Sequence, residues 1–263
     1  MALDMGVFCK STLDGEVVEY CFSALFGLGH NADPSYLDWL MKAWGWTLAV
    51  AGLGLMIALV VGAVIGTLRT LPNSCRLNRV LVHLSTDWVE LFRNIPVLVQ
   101  VFLWYHVIPA FFLPLKALPS YWLVSIALGF FTSARIAEQV RAGILSLPSG
   151  QRAAATALGL TTPQTYRYII LPMALRIVMP PLTSESMNVI KNSSVAFAVS
   201  VPELTLFAMQ AQEETSHGVE IYLAVTGLYA LSAFTVNRVM ALIEKRSRIP
   251  GFITASSGAS LAH

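Results

Sequence analysis

Residues 138–172 read EQVRAGILSLPSGQRAAATALGLTTPQTYRYIILP, and this polar stretch decides the fold because it lies between segments apolar enough to cross a membrane. From Ala153 to Leu158 it consists of strong helix formers. Gly159 then ends the helix, since glycine adopts the left-handed conformation of a helix end without a Cβ clash. An Ala-rich helix that ends in glycine also occurs in ordinary globular proteins, so the flanking segments decide between the two interpretations.

A second short helix is predicted directly after this glycine. Thr162 can accept the first free amide hydrogens as the N-cap, and Pro163 suits the first helical position because it has no amide hydrogen to leave unpaired. The helix is expected to run to Leu171 and to end before Pro172. Two short helices at an angle are typical of a surface on which another protein docks.

The composition indicates a protein that crosses the membrane several times. Of 263 residues, 56% are hydrophobic and 12% are charged, whereas a soluble domain is about one quarter charged. The formal net charge of +2 is too small to indicate nucleic-acid binding, and no basic stripe interleaved with aromatic residues is present. An all-α membrane protein is therefore expected, with no nucleic acid among its partners.

The first span is predicted at 43–68, an uncharged run longer than the roughly 20 residues that cross a bilayer. Four of its glycines recur at spacings that let another helix approach closely: Gly52, Gly54, Gly62 and Gly66. Arginines follow immediately, at positions 69, 76 and 79. Positive residues beyond the first span place this side in the cytoplasm and the acidic N-terminal segment 1–42 outside.

Four further spans complete the predicted permease domain, 43–248, which contains a cytoplasmic loop at about 143–172 and precedes a polar cytoplasmic tail, 249–263. They are expected at about 87–108, where Pro96 kinks the helix or marks its effective start, at about 121–136, at about 172–201 and at 221–242. Five spans put the termini on opposite faces, with the C-terminus in the cytoplasm.

Charged residues recur three apart near the cytoplasmic ends of the second and third spans. Asp87, Glu90 and Arg93 can pair along one helix face, and Arg135 is followed in the same way by Glu138 and Arg141. Such charges are either structural or part of a gate. The residues assigned to this class are Glu90, Arg93, Glu138 and Arg141.

The fourth segment is too polar for a lipid-facing helix. Glu185, Asn188 and Asn192 follow one another at spacings of three and four and share a stripe, with Lys191 near its edge. Ionisable groups inside a membrane must face protein or water, so this helix is expected to line the substrate path or its gate. Lys191 could pair with Glu185 of the same chain or of a partner subunit. The alternative is a polar stripe that holds two subunits together, and both can be true.

Two remaining features lie in segments that are predicted to be outside the membrane. The segment 202–220 carries four glutamates and no lysine or arginine, which indicates an external loop. Cys9 and Cys21 lie in the predicted external N-terminal segment and could form a disulfide there, while two free thiols are the default without a cysteine framework. Cys75 lies on the cytoplasmic side.

No catalytic chemistry competes with transport. The chain has no Gly-rich phosphate loop that ends in Gly-Lys-Ser/Thr, so ATP hydrolysis is not expected of it. The five histidines show no ligand spacing, and no metal site is expected. The chain is therefore predicted to be a transport subunit with no catalytic residues and no cofactor of its own.

The central loop resembles the coupling loop of bacterial ABC importer permeases. The family pattern is Glu-Ala-Ala, three residues, Gly, nine residues, Ile, any residue, Leu-Pro, and Gly159, Ile169, Leu171 and Pro172 match it. Ala153 stands where the family has glutamate, which keeps the helix and removes one charged contact. The stretch ELFRNIPVLVQ at 90–100 is similar to the polar amino acid branch, and EQVRA, YRYIILP and IKNS are similar to glutamate/aspartate permeases.

The resemblance implies the five-span fold of type I ABC importer permeases, with coupling helices between spans 3 and 4 that contact the ATPase through Ala153, Ala154, Ala155, Gly159 and Leu160. It also implies the partners: a homologous permease subunit, identical or different, a cytoplasmic ABC ATPase dimer that binds ATP and Mg, and a periplasmic or extracellular solute-binding protein. The expected location is the bacterial inner membrane. The expected substrate is a polar, acidic L-amino acid, glutamate or aspartate.

Two other classes stay open on the sequence alone. A secondary transporter would show inverted repeats with interrupted helices in matching positions, and the five unequal spans show no such symmetry. A membrane subunit that only recruits a cytoplasmic partner would keep the loop without needing the polar fourth helix.

Overall fold

The computed structural model describes residues 3–13, 15–17, 35–72 and 75–247. This part of the chain is helical, and its only β-type pairing consists of two isolated bridges, Lys10 with Val17 and Ser11 with Ser35. The α-helices, in chain order, are α1 (Tyr36–Leu68), α2 (Arg76–Asn94), α3 (Val97–Phe102), α4 (Ile108–Phe111), α5 (Ser120–Leu145), α6 (Ser149–Ala157), α7 (Thr162–Thr165), α8 (Leu171–Asn192), α9 (Leu204–Thr215) and α10 (Gly218–Ser247). The predicted tail, 249–263, and Cys21 lie outside the described residues.

Three helices, α1, α5 and α10, are long and apolar enough to cross a membrane alone. Two bent pairs pass the same test together. The helix Arg76–Asn94 meets Val97–Phe111 at 107°, and Thr162–Val199 meets Leu204–Thr215 at 54°. With each bent pair counted as one span, the described chain has five spans, and the predicted all-α membrane fold is confirmed.

The second span differs from a single straight helix. Pro96 is the N-cap of α3 and separates it from α2. It therefore marks the effective start of the membrane-crossing part, since proline cannot supply the amide hydrogen that a continuous helix needs. The break turns α2 away from α3 and α4, so the second candidate span is a bent pair rather than one straight helix.

The first span begins seven residues earlier than predicted, at Tyr36 instead of Ala43. A capping box sets this start: the Asp38 backbone N–H donates to Ser35 Oγ at 3.2 Å, and the Ser35 backbone N–H donates to Asp38 Oδ2 at 3.2 Å. A serine three residues before an acidic residue satisfies the free amides of a helix start. The first turn of α1 thus lies within the segment that the sequence assigned to the external N-terminus.

Helices α1 and α5 form the central seam of the molecule, and glycines allow their close approach. A Cβ at Gly62 would lie 2.9 Å from the Ser133 carbonyl oxygen, and one at Gly66 would lie 2.6 Å from the Ala137 carbonyl oxygen. Gly54 also contacts α5, so the predicted packing role is confirmed for three of the four glycines. It is wrong for Gly52, where a Cβ would meet nothing within 4 Å.

The second helix of the central loop begins one residue earlier and continues further than predicted. Thr161, not Thr162, is the N-cap, and its backbone N–H donates to Gln164 Oε1 at 2.9 Å. The helix does not end before Pro172, because a π turn at Tyr166–Ile170 connects α7 to α8. A π turn shifts the hydrogen-bond register, and Pro172 lies in the first turn of α8, directly after it.

The acidic segment after Pro202 is a helix rather than a loop, and its glutamates tie the far end of the bundle together. Glu203 is fully buried as the N-cap of α9 and accepts from the Thr205 and Leu206 backbone N–H groups. Glu214 accepts from the Tyr36 hydroxyl at 2.9 Å, and Glu220 accepts from the Asp4 backbone N–H at 3.1 Å. These bonds hold the N-terminal segment against α1, α9 and α10.

Cys9 and Cys75 differ in oxidation state. Cys9 is disulfide-bonded, so the default expectation of a free thiol is wrong for this residue. Cys75 is a free and exposed thiol at the N-cap of α2.

Candidate functional site

A buried carboxylate joins α5, one of the two helices of the seam, to α8. Glu185 on α8 has a side chain that is 6% exposed, and Arg135 on α5 binds it with two nitrogens: Nε to Oε2 at 2.9 Å and Nη2 to Oε1 at 3.1 Å. Gln139, one turn further along α5, donates to Oε1 at 3.1 Å. A guanidinium that binds both carboxylate oxygens forms a strong, oriented contact. Glu185 is thereby held in one orientation between α5 and α8.

This arrangement corrects one prediction and locates the others. Within the chain, Glu185 pairs with Arg135 and not with Lys191, which is exposed. A pair with a lysine of a second subunit stays a prediction. Asn188 and Asn192 are half-buried on α8, one and two turns beyond Glu185. The polar stripe of α8 is therefore anchored at one end by an ion pair to α5.

A second carboxylate on α5, Glu138, is surrounded by arginines. Arg69, the residue that follows α1, lies 2.8 Å from Oε1, Arg93 of α2 lies 3.9 Å from the same oxygen, and Arg141 lies 4.0 Å from Oε2. The predicted local pairing along α2 is not what the structure shows, because Arg93 turns to Glu138 across the helix contact. Glu90 is exposed.

The two carboxylates border one open cavity of about 460 Å³. Its lining residues come from α2, α5 and α8: Arg93, Phe131, Arg135, Glu138, Gln139 and Glu185. Four arginines, at positions 69, 93, 135 and 141, approach the two glutamates within 4.0 Å, which leaves two positive charges uncompensated by these carboxylates. The cavity has the volume of a small-molecule site.

The polar hairpin formed by α6 and α7 lies at the end of the bundle where α1 and α5 terminate. Gly159 has φ +78°, so it ends α6 in the left-handed conformation, as predicted. Ala153, Ala154 and Gly159 are exposed, and Leu160 is half-buried. Ala155, in contrast, is fully buried.

The burial of Ala155 does not fit the prediction that its side chain contacts another protein, because α6 turns this position towards its own chain. Leu158 was not among the predicted contact residues, yet it is 79% exposed at the tip of the hairpin. A large apolar residue directly before a helix-ending glycine was the signal in the sequence that could have identified it.

The hairpin is held rigidly to the bundle through Tyr166. Its hydroxyl donates to the Thr70 backbone carbonyl just beyond α1, and its ring packs with Ile144, Ile170 and Ala174. The Arg152 guanidinium lies over the Tyr166 ring, 5.6 Å from its centroid. The contacts join α6, the π turn, α5 and the end of α1, so a displacement of the hairpin must move these elements as well.

Comparison with known families decides the class of protein. Residues 54–249 match the family described as the binding-protein-dependent transport system inner membrane component. The chain belongs to this family. The match runs from the middle of α1 past the end of α10 and includes the hairpin and the whole cavity.

Curated relatives specify the branch. The chain is 42% identical over 229 residues to the glutamate/aspartate import permease protein GltJ of Escherichia coli K12, which covers 83% of this chain and 91% of the relative. It is 32% identical to the glutamine transport system permease protein GlnP of the same organism, over 77% of this chain and 90% of the relative. Both relatives are permeases for amino acids.

Solved structures agree with this assignment. An amino acid ABC transporter crystallised with histidines has 26% identity and a TM-score of 0.68, over 80% of this chain and 95% of the other. The MetNI methionine ABC transporter in an inward-facing conformation has 21% identity and a TM-score of 0.69, and this likeness shows the fold. The protein is thus a permease subunit of an amino acid ABC importer, and it is not itself an enzyme.

Proposed function

We propose that this permease carries acidic L-amino acids, glutamate or aspartate, inward across the bacterial inner membrane. The observation that supports this substrate is the excess of positive charge around the cavity, where four arginines approach two glutamates. An acidic amino acid carries a net negative charge, and such a charge needs compensation away from water. Arg93 and Arg135 in the lining of the cavity, with Arg69 and Arg141 beside it, supply this compensation.

Individual groups of the cavity suit the two ends of such a substrate. Arg93 has a side chain that is 62% exposed and only a 3.9 Å contact to Glu138, so its guanidinium is free to bind a carboxylate. The Gln139 Oε1 atom is buried and has no hydrogen-bond partner among the described residues, and it can accept from an ammonium group. Glu185 does not oppose an anion, since Arg135 neutralises it.

The hairpin is the proposed contact with the ATPase. Ala153, Ala154, Leu158 and Gly159 present a small, exposed surface that another protein can cover, and Leu160 supports it from the half-buried side. Binding and hydrolysis of ATP with Mg take place in the partner chains, because this sequence has no phosphate loop. A partner drives a conformational change only if it binds two states of the permease differently, and the rigid hairpin transmits this difference.

The complete importer has further parts. A second permease subunit, identical or different, closes the path along the exposed side of α8, where Asn188, Lys191 and Asn192 line the route or its gate. Two ATPases lie in the cytoplasm at the hairpin, and a solute-binding protein docks at the opposite, external end. The N-terminus is external and the C-terminus cytoplasmic, in line with the arginines that follow α1 and the basic end of α10.

The test is reconstitution of the permease with its partner subunits in lipid vesicles. ATP hydrolysis is measured with the solute-binding protein loaded in turn with glutamate, aspartate, glutamine or arginine. We expect hydrolysis and uptake to rise severalfold with glutamate or aspartate only. Equal stimulation by glutamine would contradict the acidic specificity, and uptake that needs no ATPase would contradict the importer function itself.

Replacing Gly159 by valine is expected to reduce stimulated ATP hydrolysis at least tenfold. A β-branched residue at φ +78° costs about 1–2 kcal/mol in the left-handed region and reshapes the tip of the hairpin. Gly150→Val is the matched control, since Gly150 lies at the start of the same hairpin with open space around it and no such φ. If both variants keep full coupling, the hairpin is not the contact with the ATPase.

A further inference from the structure

Helix α2 has three distinct faces. Ser85, Val89 and Phe92 form a buried face, and the last two pack against Ala134 and Ala137 of α5. An apolar face beside it is exposed, and a basic face lies on the remaining side. At about 1.5 Å per residue, α2 is about 28 Å long, so these faces extend over a considerable length of surface.

The exposed apolar face is continuous along the helix. Leu77, Leu84 and Leu91 follow one another at intervals of seven, with Val80 between the first two, and the side chains are 47–66% exposed. Residues at such spacing share one side of a helix. A stripe of this length facing water would be unusual in a soluble environment, so a hydrophobic medium or partner must cover it.

The charge of the basic face indicates what covers the apolar face. Arg76 and Arg79 are exposed, and neither forms an ion pair within the part of the chain that the structure describes. His83 follows one turn later on the same side and is also exposed. The acidic residues of α2, Asp87 and Glu90, lie in its second half. The first half of α2 therefore carries uncompensated positive charge beside an apolar stripe.

The position of α2 in the fold indicates how this helix lies relative to the membrane. Seven residues separate α2 from the end of α1, and α2 is turned by 107° from the apolar segment Val97–Phe111. A helix nearly perpendicular to a spanning segment runs along the membrane surface rather than through it. Its contacts with α5 extend from Phe130 to Ala137, about two to four turns before the end of α5.

We propose that α2 lies in the membrane interface and binds anionic phospholipid. In this arrangement Leu77, Val80, Leu84 and Leu91 contact acyl chains, while Arg76 and Arg79 bind the phosphates of the headgroups. Amphipathic helices with a basic polar face bind membranes in this way. The proposal depends on the membrane location of the protein and not on the transported amino acid, so the transport experiments above can fail without affecting it.

Cys75 makes the test direct, because this free, exposed thiol caps α2 next to the two arginines. The full-length chain in detergent is labelled there with a donor dye and titrated with acceptor-labelled phosphatidylglycerol or phosphatidylcholine. We expect energy transfer to favour phosphatidylglycerol, and the double variant Arg76→Gln/Arg79→Gln to weaken its binding roughly twentyfold, given the contribution of each cation near an anionic surface.

A matched control removes the same charge elsewhere. Lys245→Gln/Arg246→Gln lies in the last turn of α10 and should leave the titration at Cys75 unchanged. Equal binding of the two lipids by the parent protein would overturn the proposal. So would an Arg76→Gln/Arg79→Gln variant that binds phosphatidylglycerol as tightly as the parent does.

A second measurement identifies what covers the apolar stripe. In a Cys75→Ser background, nitroxide labels are placed at Leu84→Cys and Arg79→Cys in phosphatidylglycerol-containing vesicles. We expect the label at position 84 to be relaxed by oxygen and the label at position 79 by a water-soluble nickel complex. Efficient cross-linking between two Leu84→Cys chains would show instead that a second copy occupies the stripe, and the proposal would be wrong.

Discussion

Replacing Arg135 by glutamine is expected to lower the unfolding midpoint of the detergent-solubilised permease by roughly 5–10 °C. The reason is that the substitution leaves Glu185 without its cationic partner. Glu185 has a side chain that is only 6% exposed, and without the guanidinium its carboxylate keeps a single donor, Gln139. Breaking a buried ion pair by removing one partner costs about 3–5 kcal/mol, because the other charge stays desolvated.

Arg141→Gln is the matched control for this variant. Arg141 is on the same helix with the same 42% side-chain exposure, but its partner Glu138 is 31% exposed and 4.0 Å away. Such a contact contributes about 0–1 kcal/mol. The double variant Arg135→Gln/Glu185→Gln should recover most of the lost stability, since it leaves no unpaired charge. If Arg135→Gln and Arg141→Gln behave alike, the ion pair does not hold α5 to α8.

Replacing Gly66 by leucine is expected to abolish recovery of folded, monodisperse protein. A Cβ at this position would lie 2.6 Å from the Ala137 carbonyl oxygen and 2.7 Å from the Val140 Cβ atom. The obstacle is partly backbone and cannot move aside, so the cost exceeds the about 1–3 kcal/mol of an ordinary overpacked core. Helices α1 and α5 would have to separate along the seam that organises the bundle.

Gly52→Leu tests whether the effect comes from this seam. Gly52 lies on the same helix, and a Cβ there would meet nothing within 4 Å, so its variant should be recovered in normal yield. Yield and size are measured by fluorescence-detected size-exclusion chromatography of both variants. Normal recovery of Gly66→Leu would mean that α1 and α5 are further apart than in this structure.

Features that depend on local sequence were predictable. The apolar run of α1, the left-handed Gly159 and the break at Pro96 each follow from the conformational preference of a few neighbouring residues. The start of α1 at Tyr36 was predictable in the same way, because Ser35 and Asp38 form the spacing of a capping box. The uncharged run placed the start of the span at Ala43 instead, because hydropathy takes no account of helix caps.

Partners across the fold were not predictable. Arg135 and Glu185 are 50 positions apart, and Arg69 and Glu138 are 69 positions apart. Spacing along a helix can only suggest neighbours within one or two turns, which is why Lys191 was proposed for Glu185 and Glu90 for Arg93. The charged cavity exists only where α2, α5 and α8 meet. Its charged residues could therefore be identified one by one in the sequence, but their grouping around one cavity could not be predicted.

The continuous helical path from Thr162 through the π turn to Asn192 has a mechanical consequence. Between Thr162 and Glu185 this helical path measures about 35 Å, and Pro180 and Pro181 lie within it. Tilting such a lever by about 10° about one end moves the other by about 6 Å, more than the length of an ion-pair contact. Under the proposed docking of the ATPase at the hairpin, a small rotation imposed there reaches Glu185 as a larger displacement, and its ion pair with Arg135 either resists this displacement or opens under it.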